Sequence, residues 1–271
     1  MRTRFITGAS RGFGREVTEQ LLARGNRVAA TLRRSEQLAD LTAVHGDRLR
    51  VRRLDVTDTA QLRAVVDAAF AELGRVDVVV SNVGYGVFGA AEELTDDDQI
   101  DALLATNLTA AIQLARTVVP HLRAQGGGRI LQVSSMGAHL GFPTFSLYHA
   151  TQWGIERFYE AFAPEVEPFG IRTTLVEPGM IRTSFYYAAE RTPVHPAYAD
   201  HPGDGPRHDP GREHARRPEQ GRRSHDQRCG GRRPAATAAA RIGRLPARAR
   251  RPHRPTRCLR GAARGGAVHR R

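Results

Sequence analysis

Short β-branched runs alternate with longer amphipathic periods from residue 4 to about residue 180. RFIT (4–7), NRVAAT (26–31), RLRVRRL (48–54), VDVVVS (76–81), GRILQVS (128–134) and IRTTLVE (171–177) predict buried strands. In DTAQLRAVVDAAFAELG, Leu62, Val65, Val66, Ala69, Phe70 and Leu73 recur at helical spacing. Asp58 and Gln61 have the spacing of a capping box, and Gly74 closes the segment. Strands that alternate with helices in this way imply an α/β fold, a doubly wound parallel sheet with right-handed crossovers of the Rossmann type. One helical segment, ERFYEAFAPEVEPFG, carries Pro164 inside its pattern, so a kink or an early end is expected there.

Composition divides the chain. Residues 201–271 hold 20 of the 41 basic residues but only 5 of the 28 acidic ones, so the formal charge of +13 belongs to that stretch. The last aromatic residue is Tyr198. Few large aliphatics follow, too few to offset the entropy of ordering. The expected organisation is a nucleotide-binding domain over residues 1–190 and a disordered Arg/Pro/Gly-rich tail over 191–271, standing where a last strand would be required. Both cysteines, Cys229 and Cys258, lie in the tail, which fits a reducing compartment. No signal-peptide pattern opens the chain and no apolar stretch reaches spanning length, so a soluble cytoplasmic protein without a membrane partner is expected. Every basic residue is arginine. The tail is therefore open to two readings: a basic arm for nucleic acid, or GC-rich coding DNA read in a shifted frame.

The first strand runs into TGASRGFG (7–14) and then a helix. Gly8, Gly12 and Gly14 let the backbone turn tightly and approach a pyrophosphate, whose charge would sit at the helix N-terminus. The second strand ends in TLRR rather than in an acidic residue. Arg33 and Arg34, with Arg11, suit a 2′-phosphate, which favours NADP(H) over NAD(H). Further on, SLYHATQWGIERF places Tyr148 at a helix start as a candidate acid/base group. No set of residues with metal-ligand spacing is read from the sequence.

TGASRGFG, LDV (54–56), SNVG (81–84), Asn107, Ser135, Tyr148 and PGMIRT (178–183) together resemble the short-chain dehydrogenase/reductase family, over residues 3 to about 187. The resemblance implies an oxidoreductase that transfers hydride between NADP(H) and a carbonyl or secondary alcohol. It also implies a homo-oligomer formed through the helices of residues 99–123 and 148–163. Gly8, Ser10, Arg11, Gly12 and Gly14 would contact the cofactor phosphates, Asp55 and Val56 the adenine, and Asn82 and Gly84 the fourth strand and ribose side. Pro178 and Gly179 would lead into Ile181 and Thr183 at the nicotinamide. Ser135 would polarise the carbonyl, Tyr148 would give or take its proton, and Asn107 would anchor a water relay. The thirteen-residue spacing from Tyr148 selects Ser135 and leaves Ser134 a bystander. His139 and His149 are expected as pocket-wall or surface residues. Phe185, Tyr186 and Tyr187, with HLGFPTF (139–145), suggest an apolar substrate face.

The pattern breaks at YHATQ, where the family motif Y-x-x-x-K has lysine and this chain has Gln152. A free phenol is only about one part in a thousand ionised at pH 7, and a neighbouring ammonium favours phenolate. Gln152 keeps a hydrogen bond for the ribose but brings no charge, and Arg157 faces away. Impaired catalysis is expected, more severe for alcohol oxidation than for reduction. A non-catalytic NADP(H)-binding sensor or scaffold is the alternative, and a nucleic-acid-binding protein acting through the tail is the second.

Overall fold

A computed structural model describes residues 1–181 and 183–199. Six parallel strands form the central sheet: β1 (Thr3–Thr7), β2 (Arg27–Leu32), β3 (Leu49–Arg53), β4 (Val78–Ser81), β5 (Gly128–Val133) and β6 (Ile171–Val176). Their spatial order is β3-β2-β1-β4-β5-β6. Each of the six apolar runs forms the strand expected of it. The order reverses direction between β1 and β4, and the crevice at the strand ends there is where such sheets take ligands.

Helices cover both faces: α1 (Gly12–Ala23), α2 (Ala39–His45), α3 (Thr59–Leu73), α4 (Asp97–Leu104), α5 (Ala110–Ala124) and α6 (Ser146–Val166). Successive residues of a strand point to opposite faces, and β1 shows the result. Phe5 joins the core beneath α3, α5 and α6, with Leu62, Val66, Leu114, Val118, Ile155 and Tyr159, whereas Ile6 joins the core beneath α1 and α2, with Leu22, Val28 and Leu38. Among the described residues the sheet ends at β6, whose Arg172 is exposed. The tail from residue 200 onward, with its disorder, its nucleic-acid reading and its shifted-frame reading, lies outside the described residues.

Three local expectations are corrected. The α3 cap is only half of a capping box. Asp58 accepts from the Gln61 N–H at 2.9 Å, but Gln61 Oε1 reaches past Asp58 and accepts from the Asp55 N–H at 2.6 Å. The helix start is thereby tied to the end of β3. Pro164 does not end α6, which continues to Val166. Pro164 and Glu160, whose carbonyl it crowds, lie on the exposed face, where a carbonyl can tilt to water, while Phe162 and Val166 hold the other face in the core. Finally, the continuous helical run Asp97–Ala124 holds an eighteen-residue window with a mean hydropathy of 1.3, long and apolar enough by composition to cross a membrane. Its Ala111, Leu114, Val118 and Leu122 are packed into the core of this sheet.

Candidate active site

The glycine loop is held from two sides. Gly8 and Gly12 have φ of 70° and 56°, conformations that side chains rarely adopt. A Cβ on Gly14 would run into the Gly8 carbonyl oxygen and Asn82 Nδ2. Asn82 Nδ2 donates to the carbonyls of Thr7 (3.2 Å) and Gly8 (3.1 Å), and its backbone N–H donates to Thr7 Oγ1 at 3.0 Å. Asn82 is thus the clasp that joins the loop to β4. Arg11 caps α1 with extended backbone and no side-chain hydrogen bond, and Ser10 is half-buried beside it. The first-turn amides of a twelve-residue helix are left without a side-chain cap, as an anion-binding helix end requires. These residues fit a dinucleotide.

Beyond β2, Arg33 and Arg34 are exposed. Asp55 Oδ1 accepts from Thr57 Oγ1 (2.7 Å) and Thr57 N (3.0 Å). These bonds hold its carboxyl below the usual range against partial burial, and the charge of Arg33 adds to them. Arg33 and Asp55 therefore flank one rim of the crevice. The Val56 side chain belongs to the core, so it offers a ligand little beyond its backbone. Gly84 leaves ordinary van der Waals room toward Asn107 Oδ1. Asn107 lies in a π-helical turn, Ala105–Thr109, between α4 and α5. Its Oδ1 accepts from the Tyr85 N–H at 3.0 Å, and its Nδ2 donates to the Tyr85 carbonyl at 2.8 Å and to Thr151 Oγ1 at 3.3 Å. The side chain braces the β4 loop against α6.

Ser135 follows β5, and its Oγ accepts from the Gly137 N–H at 3.0 Å. Its hydroxyl also faces Tyr148, whereas Ser134 faces Glu156. Tyr148 is 7 % exposed. Burial pushes its phenol up to about 12; the Ser135 hydroxyl opposes the rise and Tyr186 adds to it. Gln152 stands one turn further on the same buried face of α6, 4 % exposed, and its Oε1 has no hydrogen-bond partner among the described residues. Arg157 faces away as expected, paired with Glu160 and stacked over Trp153.

The segment from Pro178 returns to the glycine loop. The Pro178 carbonyl accepts from the Met136 N–H at 3.0 Å, and Gly179 lies near Met136. The Thr183 N–H donates to the Ile181 carbonyl at 2.9 Å, and a Cβ on Gly12 would lie 3.9 Å from Thr183 Cβ. Sites far apart in sequence thus share one crevice. A short helix α7 (Phe185–Ala188) follows, and Glu190–Arg191 pairs in parallel with Val87–Phe88. Phe185 and Tyr186 pack on the Tyr148 cluster, but Tyr187 is exposed and does not line an apolar face.

Sequence reasoning missed the aromatic pile. Phe145 stacks on Tyr148 at 4.3 Å and on Phe88 at 4.2 Å, with Arg191 over the Phe88 ring. Of HLGFPTF, Phe145 enters this pile, whereas Leu140 and Phe142 are exposed. His149 is a strut. Its Nδ1 lies 2.7 Å from the Gly137 carbonyl and its Nε2 accepts from the Phe142 N–H at 2.9 Å, a pairing that requires the neutral ring with its proton on Nδ1.

A glycine cradle at the switch point, with a buried tyrosine facing a serine across the crevice, is an arrangement of dinucleotide-dependent α/β oxidoreductases. Residues 2–192 match the family model of the short chain dehydrogenases, and the chain belongs to that family. It is 40% identical over 191 residues to Oxidoreductase BOA17 of Botryotinia fuckeliana, which covers 70% of this chain and 69% of the relative. The crystal structure of a short-chain dehydrogenase from Streptomyces avermitilis is 40% identical with a TM-score of 0.69, covering 73% of this chain and 75% of the other. The 3-ketoacyl-(acyl-carrier-protein) reductase from Brucella melitensis, complexed with NADH, is 27% identical with a TM-score of 0.66 over 70% and 80% of the chains. ElxO with NADP bound is 25% identical with a TM-score of 0.64 over 67% and 75%. The family acts on small carbonyl or alcohol substrates with nicotinamide cofactors, and these neighbours carry both kinds.

Proposed function

We propose that the chain interconverts an apolar carbonyl compound and its secondary alcohol with NADP(H), and that proton transfer at Tyr148 limits its turnover. The observation that carries this reading is a buried tyrosine, raised to about 12, whose neighbour one turn along the helix is the uncharged Gln152. When bound, the nicotinamide supplies or accepts the hydride. The chain's own residues bind, orient and move one proton.

Exposed Arg33 and Arg34 at the end of β2, with Arg11 at the start of α1, support a preference for the 2′-phosphorylated cofactor, since guanidinium groups pair with phosphate in bidentate fashion. Gln152 Oε1, buried and without a partner among the described residues, can accept a hydrogen bond from a ribose hydroxyl. Ser135 donates its hydroxyl proton toward the substrate oxygen, and the Tyr148 hydroxyl gives its proton to the same oxygen during reduction. A phenol at about 12 suits that acid role. In the oxidative direction it must act as phenolate, and only roughly one part in a hundred thousand is ionised at pH 7 for such a pKa. Phe88, Phe145, Phe185 and Tyr186 around Tyr148 support an apolar substrate. Exposed Trp153 on α6 is consistent with a homo-oligomer built through α4, α5 and α6.

The test is titration of the purified chain with NADPH and NADH, followed by turnover on aromatic and aliphatic ketones. Tighter NADPH binding with slow but measurable reduction is expected. NADPH binding with no turnover on any ketone would select a sensor or scaffold, and no binding of either cofactor would sink both readings.

A further inference from the structure

Behind the Ser135 turn, two turns along the buried face of α6 from Tyr148, three groups that the proposed chemistry does not use converge. His139 ends the turn Met136–Ala138, Glu177 directly follows β6, and Glu156 lies on the buried face of α6 one turn beyond Gln152. One ligand atom from each lies within 4.8 Å of the others. His139 Nε2 is 3.0 Å from Glu177 Oε2, and these two side chains are about half-exposed at 52% and 41%.

Glu156 is different: it is 4% exposed, and its Oε1 has no hydrogen-bond partner among the described residues. The buried Ser134 hydroxyl faces it. An unpaired carboxylate in such a place is costly unless a cation shares it. Among the described residues neither Glu156 nor Glu177 pairs with an arginine, although arginine is the only cationic side chain besides histidine in this protein.

We propose that His139, Glu156 and Glu177 bind one divalent cation of the zinc class, with a remaining position open to water on the exposed side. One imidazole and two carboxylates suit such an ion, and the two carboxylate charges balance it while His139 stays neutral. Tetrahedral bonds of about 2.0–2.2 Å separate ligand atoms by roughly 3.3–3.6 Å. The triad closes on an ion with about 1 Å of movement, which the half-exposed His139 and Glu177 can make while buried Glu156 stays fixed. The ion would join the turn after Ser135, the helix that carries Tyr148 and the strand end that leads to Pro178. Its role is to stiffen the back wall of the crevice.

The full chain is titrated with zinc chloride by calorimetry and by thermal unfolding, beside His139→Ala and His139→Arg. Cys229, Cys258 and the tail histidines give a background common to all three proteins. His139→Arg places a guanidinium next to Glu177 while removing a ligand, so a loss of zinc there is not a loss of the pairing. The unsubstituted chain is expected to take up one zinc more than either variant, and zinc to raise its Tm by roughly 3 °C or more above any rise in the variants. Equal stoichiometry and equal thermal response in all three would overturn the proposal and leave His139 and Glu177 as an ion pair only.

Discussion

The glycine loop and the Tyr148 site lie at the two ends of one crevice, and they are completed to different degrees. In the loop each demanding position holds the residue its geometry requires: glycine at two positive φ angles, glycine where a Cβ would strike the Gly8 carbonyl, and Asn82 bonded to two loop carbonyls. At Tyr148 the packing is equally close, with Phe145 stacked on the ring and Ser135 facing the hydroxyl. What is lacking there is charge. Gln152 occupies the buried position one turn away and offers an unpaired oxygen instead of a cation. On the proposed reading, cofactor binding and proton transfer are separable in this chain: shape and backbone donors carry the first, and a local electrostatic field carries the second.

The largest effect is expected from breaking the intact half. Gly14→Val places side-chain atoms against the Gly8 carbonyl and Asn82, and NADPH affinity measured by fluorescence titration is expected to fall by about a hundredfold or more, the equivalent of about 2.7 kcal/mol. Unaltered affinity would show that the loop does not hold the phosphates. A smaller change sharpens the cofactor choice. Arg33→Ala removes a guanidinium from the rim beside Asp55, so the ratio of NADPH to NADH affinity is expected to drop by about tenfold, one charge-assisted hydrogen bond's worth. A ratio that stays constant would assign the preference elsewhere.

The subtlest test reads the proton half alone. A phenol at about 12 loses its proton only as pH rises toward that value, so the phenolate needed for oxidation keeps increasing across the accessible range. The rate of alcohol oxidation is expected to climb about tenfold per pH unit up to at least pH 10, while reduction stays nearly flat because the acid form persists. An oxidation plateau near neutral pH would contradict the assignment of Tyr148 as the unassisted base.

Much of this was legible in the sequence for definite reasons. The central strands β1, β2 and β4 are apolar runs buried on both faces, a signal that needs no tertiary information, and TGASRGFG announced its loop because glycine suits the positive φ angles there. The family spacing singled out Ser135, and the structure turns the Ser135 and Ser134 hydroxyls to different neighbours. Pro164 does not end α6 at once, because its cost depends on which face of α6 meets water, which is set by packing and not by the local pattern. Phe88 and Phe145 lie in connecting segments without periodicity, so their stack on Tyr148 could not be read in advance. The same holds for His149, whose tautomer is fixed by backbone groups of a loop that folds back onto it.

The central claim is that the binding half is intact while the proton half lacks only a positive charge. Alcohol oxidation by Gln152→Lys at saturating cofactor, compared with the unsubstituted chain, tests it most directly. An ammonium one turn from Tyr148 lowers the barrier to moving the phenol proton, and a rate increase of at least about tenfold is predicted, or about 1.4 kcal/mol. A rate that does not change, with the cofactor bound equally by both proteins, would contradict the account.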